Sequence, residues 1–298
     1  MANTLTNVKD IKVAQKALMP FMSNLLPVTA FSTDFSPQPA EKLDTVRVPL
    51  VGAPSTSSDF AGDYSANADS TVTVVPVTLN RHKYKTVHVT ARESAETSLN
   101  ALEALVEAAA QQLAQDVLLD IFSCITAANF GAPGIVALAA TDFNYKKVLG
   151  IREACGNAKM PPNPRSLVLD SGYYTNMLAD DIVAKSFNLN LNAPAVTEGM
   201  VKRLAGFNLH ETTLIPPDHA EKLVGFAAHS SAVAVAMRYL QPVADYQQSG
   251  AVTDPTTGMT FGYLRFTDTR ANKVFVTLEC LYGFAPAKTD ALKRIVKP

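Results

Sequence analysis

Residues 90–127 constrain the fold more than any other stretch, because they contain no glycine and no proline. Thr90 followed by Glu93 matches a capping box, in which each side chain satisfies a backbone N–H of the other residue at a helix start. The stretch therefore predicts one helix of roughly 50 Å, longer than the three or four turns usual in a compact core. Its apolar residues recur at the three-and-four spacing of one helical face: Leu99, Leu102, Leu105, Val106, Ala109, Leu113, Val117, Leu118, Ile121, Phe122 and Ile125.

The composition favours a chain that associates with itself. Hydrophobic residues make up 47% of the sequence and charged residues 18%, with a net charge of −1, whereas soluble chains carry about a quarter charged residues. Proteins close to zero net charge tend to associate. We therefore expect a subunit that covers much of its surface with copies of itself, with an enzyme of large core as the alternative.

Other classes of protein are disfavoured by the sequence. The 26 basic and 27 acidic residues form no block of like charge, which argues against a dedicated nucleic-acid binder. Cys124, Cys155 and Cys280 lack the short spacings of disulfide frameworks and zinc sites and fit a reducing cytosol. The polar start lacks the apolar core of a secretion signal, and polar residues interrupt the most apolar later stretch, residues 223–240. We predict neither secretion nor a membrane span.

The first part of the chain predicts an arm and a hairpin. Residues 1–45 are punctuated by prolines that forbid a long helix, so they form an arm that wraps its own domain or reaches a neighbour. Residues 44–51 and 70–89 are rich in valine and threonine and flank a run of small, polar turn-formers, which predicts a long two-stranded hairpin with a loose tip. Such a hairpin is marginal alone, so we expect it to dock on another subunit.

The remaining pattern predicts an α+β fold with mostly antiparallel strands. A loop is expected over residues 181–198, and a strand at 223–227 is followed by a segment whose periodicity fits helix or strand. The other predicted elements are a helix at 142–157, a strand at 166–169 and a helix beginning at Asp170 or Ser171, two short strands around Ala205 and Gly206, a turn at 254–258, and paired strands at 261–267 and 273–284.

No catalytic constellation is predicted. The sequence has no phosphate-binding glycine loop, dinucleotide fingerprint or nucleophile elbow. His210 and Glu211 begin like a zinc-protease helix, but Leu214 occupies the position of the second histidine. The other titratable groups are interpreted structurally: His82 and His88 as solvated or interface residues, His229 and Cys155 as core residues, Asp180 and Asp181 as a solvated loop pair, and Glu93, Glu96, Glu103, Glu107, Asp116 and Asp120 as the solvated face of the long helix. We predict no cofactor and no metal.

The order of these parts resembles the major capsid protein of tailed bacteriophages, with its HK97-like fold, and is nearest to podovirus-like coat proteins. The similarity covers nearly the whole chain. It is carried by the opening ANTLTN and by the phrases SLVLDSGYYTNML, GMVKRLAGFNLHETTLIP, LVGFAAHSSAVAVAMR and YLRFTDTRANKVFVTLECLYGFAPAK. The resemblance implies a structural subunit, not an enzyme, of an icosahedral head shell that encloses double-stranded DNA.

The resemblance also implies a domain plan. Residues 1–45 would be the N-terminal arm, 46–89 the extended loop, 90–135 the peripheral domain with its spine helix, 136–235 the axial domain, 236–285 the returning peripheral strands and 286–298 a C-terminal tail. Residues 52–70 contain no lysine, so the lysine–asparagine cross-link of some relatives is not expected. The chain has no room for a fused scaffolding segment or an inserted domain, so a separate scaffolding protein is implied.

Partners and contacts follow from the same resemblance. The partners would be further copies in pentamers and hexamers, the scaffolding protein and a portal protein, with a decoration protein left open. Assembly would take place in the host bacterial cytoplasm, and the product would be the virion. The alternatives are an encapsulin-type nanocompartment shell and a cytosolic oligomeric enzyme with an unrecognised site. The expected inter-subunit contacts are Phe21, Arg47, Asp59, Phe60, Tyr64, Arg81, Lys83 and Tyr84.

Overall fold

The structure is a computed structural model, and part of the chain lies outside what it describes. The described residues are 26–39, 45–51, 72–96, 101–134, 138–183, 201–216, 221–242, 246, 248–253 and 260–298. The beginning of the predicted arm, the tip of the predicted hairpin and nearly all of the predicted loop at 181–198 fall outside these ranges.

The described elements form three sheets and five α-helices. The helices are α1 (Ala91–Glu96), α2 (Ala101–Phe122), α3 (Ala127–Phe130), α4 (Tyr145–Asn157) and α5 (Ser171–Leu178). The strands are β1 (Ser32–Pro39), β2 (Thr45–Val51), β3 (Val72–Thr78), β4 (Arg81–Thr90), β5 (Arg165–Asp170), β6 (Arg203–Leu204), β7 (Phe207–Thr212), β8 (Leu223–His229), β9 (Val233–Tyr239), β10 (Gln248–Thr253), β11 (Thr260–Asp268), β12 (Lys273–Pro286) and β13 (Leu292–Val296). Short 3₁₀ helices lie at Leu26–Ala30, Ala140–Asp142 and Thr289–Ala291.

The predicted capping box at Thr90 is confirmed. The Thr90 amide donates to Glu93 Oε2 at 2.8 Å, and the Glu93 amide donates to Thr90 Oγ1 at 3.2 Å. The prediction of one helix to residue 127 is wrong at its end, because α2 stops at Phe122. A turn follows, and Thr126 caps α3 by accepting from the Asn129 amide at 3.3 Å. Serine and threonine hydroxyls compete with helical hydrogen bonds, so the helix ends although the apolar spacing continues.

The strand β12 lies inside a six-stranded sheet and organises it. At one edge of β12, residues 273–282 pair with β4. At the opposite edge, residues 273–279 of β12 pair with residues 262–268 of β11, and residues 281–286 of β12 pair with β9. Successive side chains of a strand point to opposite faces. The even-numbered side chains of β12 from Val276 to Tyr282 are buried in one cluster with the apolar residues of α2.

A five-stranded sheet in the order β13-β8-β5-β7-β6 packs on the other side of this cluster. Phe226 of β8 lies at the junction, stacked on Phe31 at 5.6 Å between ring centroids and edge-on to Phe122 of α2 at 5.5 Å. The opposite face of this sheet is buried against α4 and α5. The segment predicted as a C-terminal tail contributes β13, which pairs with β8.

Most predicted strands are confirmed. All strand pairs are antiparallel among the described residues except β1 with β9 and β5 with β7. β6 and β7 flank a two-residue turn in which Ala205 and Gly206 have φ of 49° and 89°. The ambiguous segment after residue 229 is the strand β9. The helix predicted from residue 142 begins at Tyr145, because Asn144 caps it by accepting from the Lys147 amide at 3.1 Å.

The described part of the predicted arm packs on its own chain. Val28, Ala30 and Phe31 are buried in the cluster around α2. The strand β1 pairs in parallel with β9. Of the two interpretations of the arm, the described residues therefore fit the one in which it wraps its own domain.

Among the described helices, none is both long and apolar enough to cross a membrane.

The predicted hairpin is confirmed only in part. β2 and β3 pair antiparallel over their full length, but the strand predicted at 70–89 breaks at Leu79 and Asn80, and its second half is β4 of the main sheet. The chain crosses β12 closely at this break. A Cβ built on Gly283 would lie 2.1 Å from the Thr78 carbonyl oxygen, so only glycine leaves room for the crossing.

The junction at Phe226 generates a stability prediction. Phe226→Ala should lower the free energy of unfolding of the unassembled chain by about 3–5 kcal/mol, because it leaves a cavity between the two sheets and α2. Denaturant titration followed by circular dichroism measures the loss. Leu149→Ala on α4, where the leucine is 39% exposed, is the control and should change stability by about 0.5 kcal/mol or less. Equal losses in the two variants would contradict the assignment of Phe226 to the central junction.

Candidate functional site

A cavity of about 600 Å³ is lined in part by polar residues. It lies between β7, α5 and α2 and is bordered by His210, Glu211 and Tyr174. Burial lowers the pKa of His210. The Tyr174 hydroxyl accepts from the Val201 amide at 2.9 Å, and Ser171 Oγ donates to Glu211. The first contact ties α5 to the segment before β6, and the second ties α5 to β7. Over the described ranges no three His, Cys, Asp or Glu side chains are grouped to hold a metal.

The other titratable residues have structural roles. His229 is hydrogen-bonded as predicted, since its Nδ1 accepts from the Ser231 amide at 3.2 Å, although the ring is half-buried. Cys155 is a buried core residue as predicted, and burial raises the pKa of its thiol. Asp180 lies in the loop after α5 as predicted, but the prediction that it is solvated is wrong, because it is half-buried. Its carboxylate accepts from the Tyr145 and Ile182 amides, both at 2.8 Å, and so ties the end of α5 to the start of α4.

The hairpin of β2 and β3 presents two different faces. Val46, Val48 and Val77 point inward and pack with the side of β9 and β12 that faces away from α2. Arg47 and Val74 point the other way and are exposed, Val74 to 47%. The hairpin therefore rests its root on its own sheet and leaves an apolar outer face, with one cation, uncovered by the described part of the chain.

A charged cluster fixes the chain where it leaves the hairpin. Asp120 of α2 accepts from the Tyr282 hydroxyl at 2.5 Å and pairs with Lys83 Nζ at 2.9 Å and Arg81 at 3.1 Å. The guanidinium of Arg81 lies 4.6 Å from the centroid of the Phe284 ring. Helix α2, β4 and β12 are thus joined through one carboxylate.

The environment of Asp120 changes its ionisation. Burial alone would raise the pKa of this carboxyl group, but hydrogen bonds from Tyr282 and Lys83 and the charges of Lys83 and Arg81 hold the pKa below its ordinary value. Burial, with the hydrogen bond to Asp120, raises the pKa of Tyr282 far above the usual range of tyrosine. The carboxylate is therefore charged and the phenol neutral at every physiological pH.

The prediction that Asp120 belongs to a solvated acidic face is wrong, because its carboxylate is the shared acceptor of this cluster. Sequence reasoning missed its role, and also that of Tyr282. The available signal was position, since Asp120 follows the buried residues Val117 and Leu118 and precedes the buried Ile121. An acidic residue beside the apolar stripe of a helix faces the edge of its packing partner.

The predicted contact residues separate into three groups. Arg47 and Tyr84 are exposed, Tyr84 to 66%, and their contacts to a second copy stay predictions. Arg81 and Lys83 have partners within their own chain, which the sequence did not predict. The remaining four lie outside the described residues: Phe21, Asp59, Phe60 and Tyr64.

Tyr84 belongs to a polar and aromatic surface on the side of the main sheet opposite α2. His82 Nε2 lies 3.1 Å from Glu279 Oε2. Further along the same face, Phe275 stacks on Phe266 at 5.0 Å and contacts His88 at 5.4 Å between ring centroids. This surface adjoins the root of the hairpin and is open in the single chain, with β4 residues in it mostly exposed.

The Asp120 cluster generates a prediction with a defined pH dependence. Asp120→Asn should lower the free energy of unfolding at neutral pH by about 1–3 kcal/mol, because Arg81, Lys83 and Tyr282 lose a charged acceptor. Since the folded state lowers the pKa of Asp120, its contribution is present above the unfolded carboxyl pKa of about 3.9 and is lost as the pH falls through the folded value. The difference between wild type and variant should therefore shrink below about pH 4.

Asp116→Asn is the matched control, one turn earlier on the same helix. The Asp116 carboxylate accepts from the Gln112 side chain at 2.9 Å, an exposed contact, so its loss should cost about 0.5 kcal/mol or less. Urea titrations of both variants between pH 3 and 8 measure the two effects. A pH-independent loss in Asp120→Asn, or an equal loss in the control, would refute the role of the charged carboxylate.

Several solved structures have a similar fold. The capsid of cyanophage P-SCSP1u matches with a TM-score of 0.61 and 12% identity over 90% of this chain and 86% of that chain. The capsid of Ralstonia phage GP4 matches with a TM-score of 0.58 and 11% identity over 90% and 84%. A virus-like particle from Pyrococcus furiosus matches with a TM-score of 0.52 and 12% identity over 95% and 97%.

These matches concern the fold, because no sequence identity among the three exceeds 12%. No protein-family model and no curated protein sequence matches the chain. The predicted α+β architecture is confirmed: the chain has the HK97-like fold of tailed-phage capsid structures.

Proposed function

We propose that the chain is the structural subunit that self-assembles into an icosahedral head shell enclosing a phage double-stranded DNA genome. The observation that carries the proposal is the extent of the structural match. The likeness to the cyanophage capsid runs through 90% of this chain and 86% of that one, so it extends over most of both chains.

The surface of the single chain supports the same proposal. An isolated two-stranded hairpin is marginal in water, yet the outer face of β2 and β3 is exposed and apolar around Val74. The whole chain is only 18% charged. Repeated contacts between different patches of identical subunits close into a shell when the rotation between neighbours closes, and they cover such surfaces on every copy.

The domain plan and the partners are part of this proposal. The main sheet with α2 corresponds to the peripheral domain, and the five-stranded sheet with α4 and α5 corresponds to the axial domain, to which β13 is added from the segment first predicted as a tail. β2 and β3 form the described part of the extended loop. A separate scaffolding protein and a portal protein complete the assembly, which takes place in the host cytoplasm and ends in the virion.

A nanocompartment shell is the second candidate. It is favoured by the virus-like particle from Pyrococcus furiosus, whose chain matches over 97% of its length. A shell of that kind would enclose proteins instead of a genome, so the contents of purified particles separate the two. A catalytic role has less support, because among the described residues around the cavity at His210, Ser171 and Glu211 serve to tie α5 to β7, and no third group orients this pair as in a catalytic triad.

Electron microscopy of the purified full chain, alone and with its candidate scaffolding protein, tests the proposal. We expect closed shells of uniform diameter. Val74→Asp should reduce their yield at least about tenfold while leaving the circular dichroism spectrum unchanged, because a charge on the exposed hairpin face costs nothing in the free chain but must be desolvated in a contact. Leu149→Asp on α4 is the exposed apolar control outside the hairpin. Small oligomers under every condition would contradict the proposal.

A further inference from the structure

The hairpin of β2 and β3 has two free edges in addition to its two faces. Within the described ranges, β2 and β3 pair only with each other, so each strand has one edge without a neighbour. Unpaired edge amides and carbonyls are templates on which a strand of another chain can add. Each of these edges carries a proline near its centre: Pro49 on β2 and Pro76 on β3.

The register fixes the direction in which both prolines point. Arg47 pairs with Pro76, and Pro49 pairs with Val74. These two pairs are separated by two residues along each strand, so they belong to the same class of the alternating antiparallel ladder. Proline has no N–H to donate, so the class containing both prolines is the non-hydrogen-bonded one. The pair Val48 and Val75 between them exchanges the ladder hydrogen bonds.

In non-hydrogen-bonded pairs the backbone N–H groups point away from the partner strand. The ring nitrogens of Pro49 and Pro76 therefore point outward, one to each free edge, where any other residue would offer a donor to an added strand. Pro49 and Pro76 lie diagonally from each other, in neighbouring pairs of this class. Both edges therefore lack a backbone donor at about the same position along the hairpin.

The rest of the hairpin sequence makes this protection necessary. The strands TVRVPLV and VTVVPVT consist mainly of β-branched residues and carry one charge between them, that of Arg47. Segments of high β-propensity and low charge are those that stack edge to edge into open-ended sheets. With a net charge of −1 over the whole chain, repulsion between copies does little to prevent it.

We propose that Pro49 and Pro76 select how the hairpin meets a second copy of this chain: they block strand addition at both edges, so that the contact is made by the exposed face around Arg47 and Val74. Strand addition is open-ended and leads to fibrous aggregates, whereas contact by a face leaves the relative orientation of the copies to side-chain packing. The statement about the face rests on the proposed function, and the statement about the edges does not.

The test restores the missing donors. Pro49→Thr and Pro76→Thr, singly and together, place a β-prone residue with an N–H at each outward position. The free, unassembled chains are compared by light scattering and by the infrared band of intermolecular β-sheet. We expect the double variant to form sheet-rich aggregates at least about tenfold faster than wild type, with each single variant in between. Pro161→Thr, in the exposed turn before β5, is the matched control and should behave as wild type.

The outcomes separate the two statements. If the double variant, or the single variants in folded form, stay as monodisperse as wild type, the proposed role of the prolines is overturned. Aggregation of the Pro161→Thr control to the same extent would overturn it as well. Val74→Asp leaves both edges intact and should lose shells without gaining the infrared band, whereas gain of that band would overturn contact by the face. Failure of the wild-type chain to form shells would remove the proposed function and the statement about the face, while aggregation of the proline variants would still support the edges.

Discussion

The packing of α2 against β12 is the constraint on which the rest of the subunit depends. The even-numbered side chains of β12 from Val276 to Tyr282 are buried beneath α2, and both edges of the strand are paired. On the opposite face of the strand, Leu281 packs with Val77 of the hairpin. The hairpin and the exposed surface around Tyr84 both lie on that side of the main sheet.

Two local features convert this core into a subunit with an extended part. Gly283 lets the chain cross β12 at Thr78, where a side chain would collide with the carbonyl oxygen. Immediately beyond the crossing, Arg81 and Lys83 anchor β4 to Asp120 of α2. The hairpin therefore leaves the body at a fixed place, held by sterics on one side and by charge on the other. Variation of its position in an assembly would then have to come from bending beyond this root.

The spacing of apolar residues along a single segment predicts most of the individual strands and helices. β5, β8, β11 and β12 are predicted from alternation or apolar runs, and α5 from a start at Asp170 or Ser171, although the Asp170 side chain makes no capping hydrogen bond. The end of α2 was mispredicted because the apolar spacing continues to Ile125 while the backbone turns at Cys124. Alternation also gives no information about which strand is the neighbour, so the transfer of β4 to the main sheet could not be foreseen.

The candidate site was less predictable than the fold for a related reason. Asp120 has the same sequence signature as a solvated helix carboxylate, and only the arrival of Arg81 and Lys83 from a distant strand gives it partners. The outward direction of Pro49 and Pro76 follows from the register between β2 and β3, which is set by the pairing of the whole hairpin. The roles of these residues depend on which segments are neighbours in the fold and in which register they pair. A pattern along one segment does not contain that information.

Hydrogen–deuterium exchange tests most directly the claim that a core built on β12 presents a hairpin whose outer face is covered only by a second copy. The unassembled chain and purified particles are compared by mass spectrometry of peptides, since slow exchange reports local stability and coverage. The account predicts that exchange in residues 45–51 and 72–78 slows markedly on assembly, while exchange in residues 273–286 is slow in both states. Equally slow exchange of the hairpin before and after assembly would contradict it.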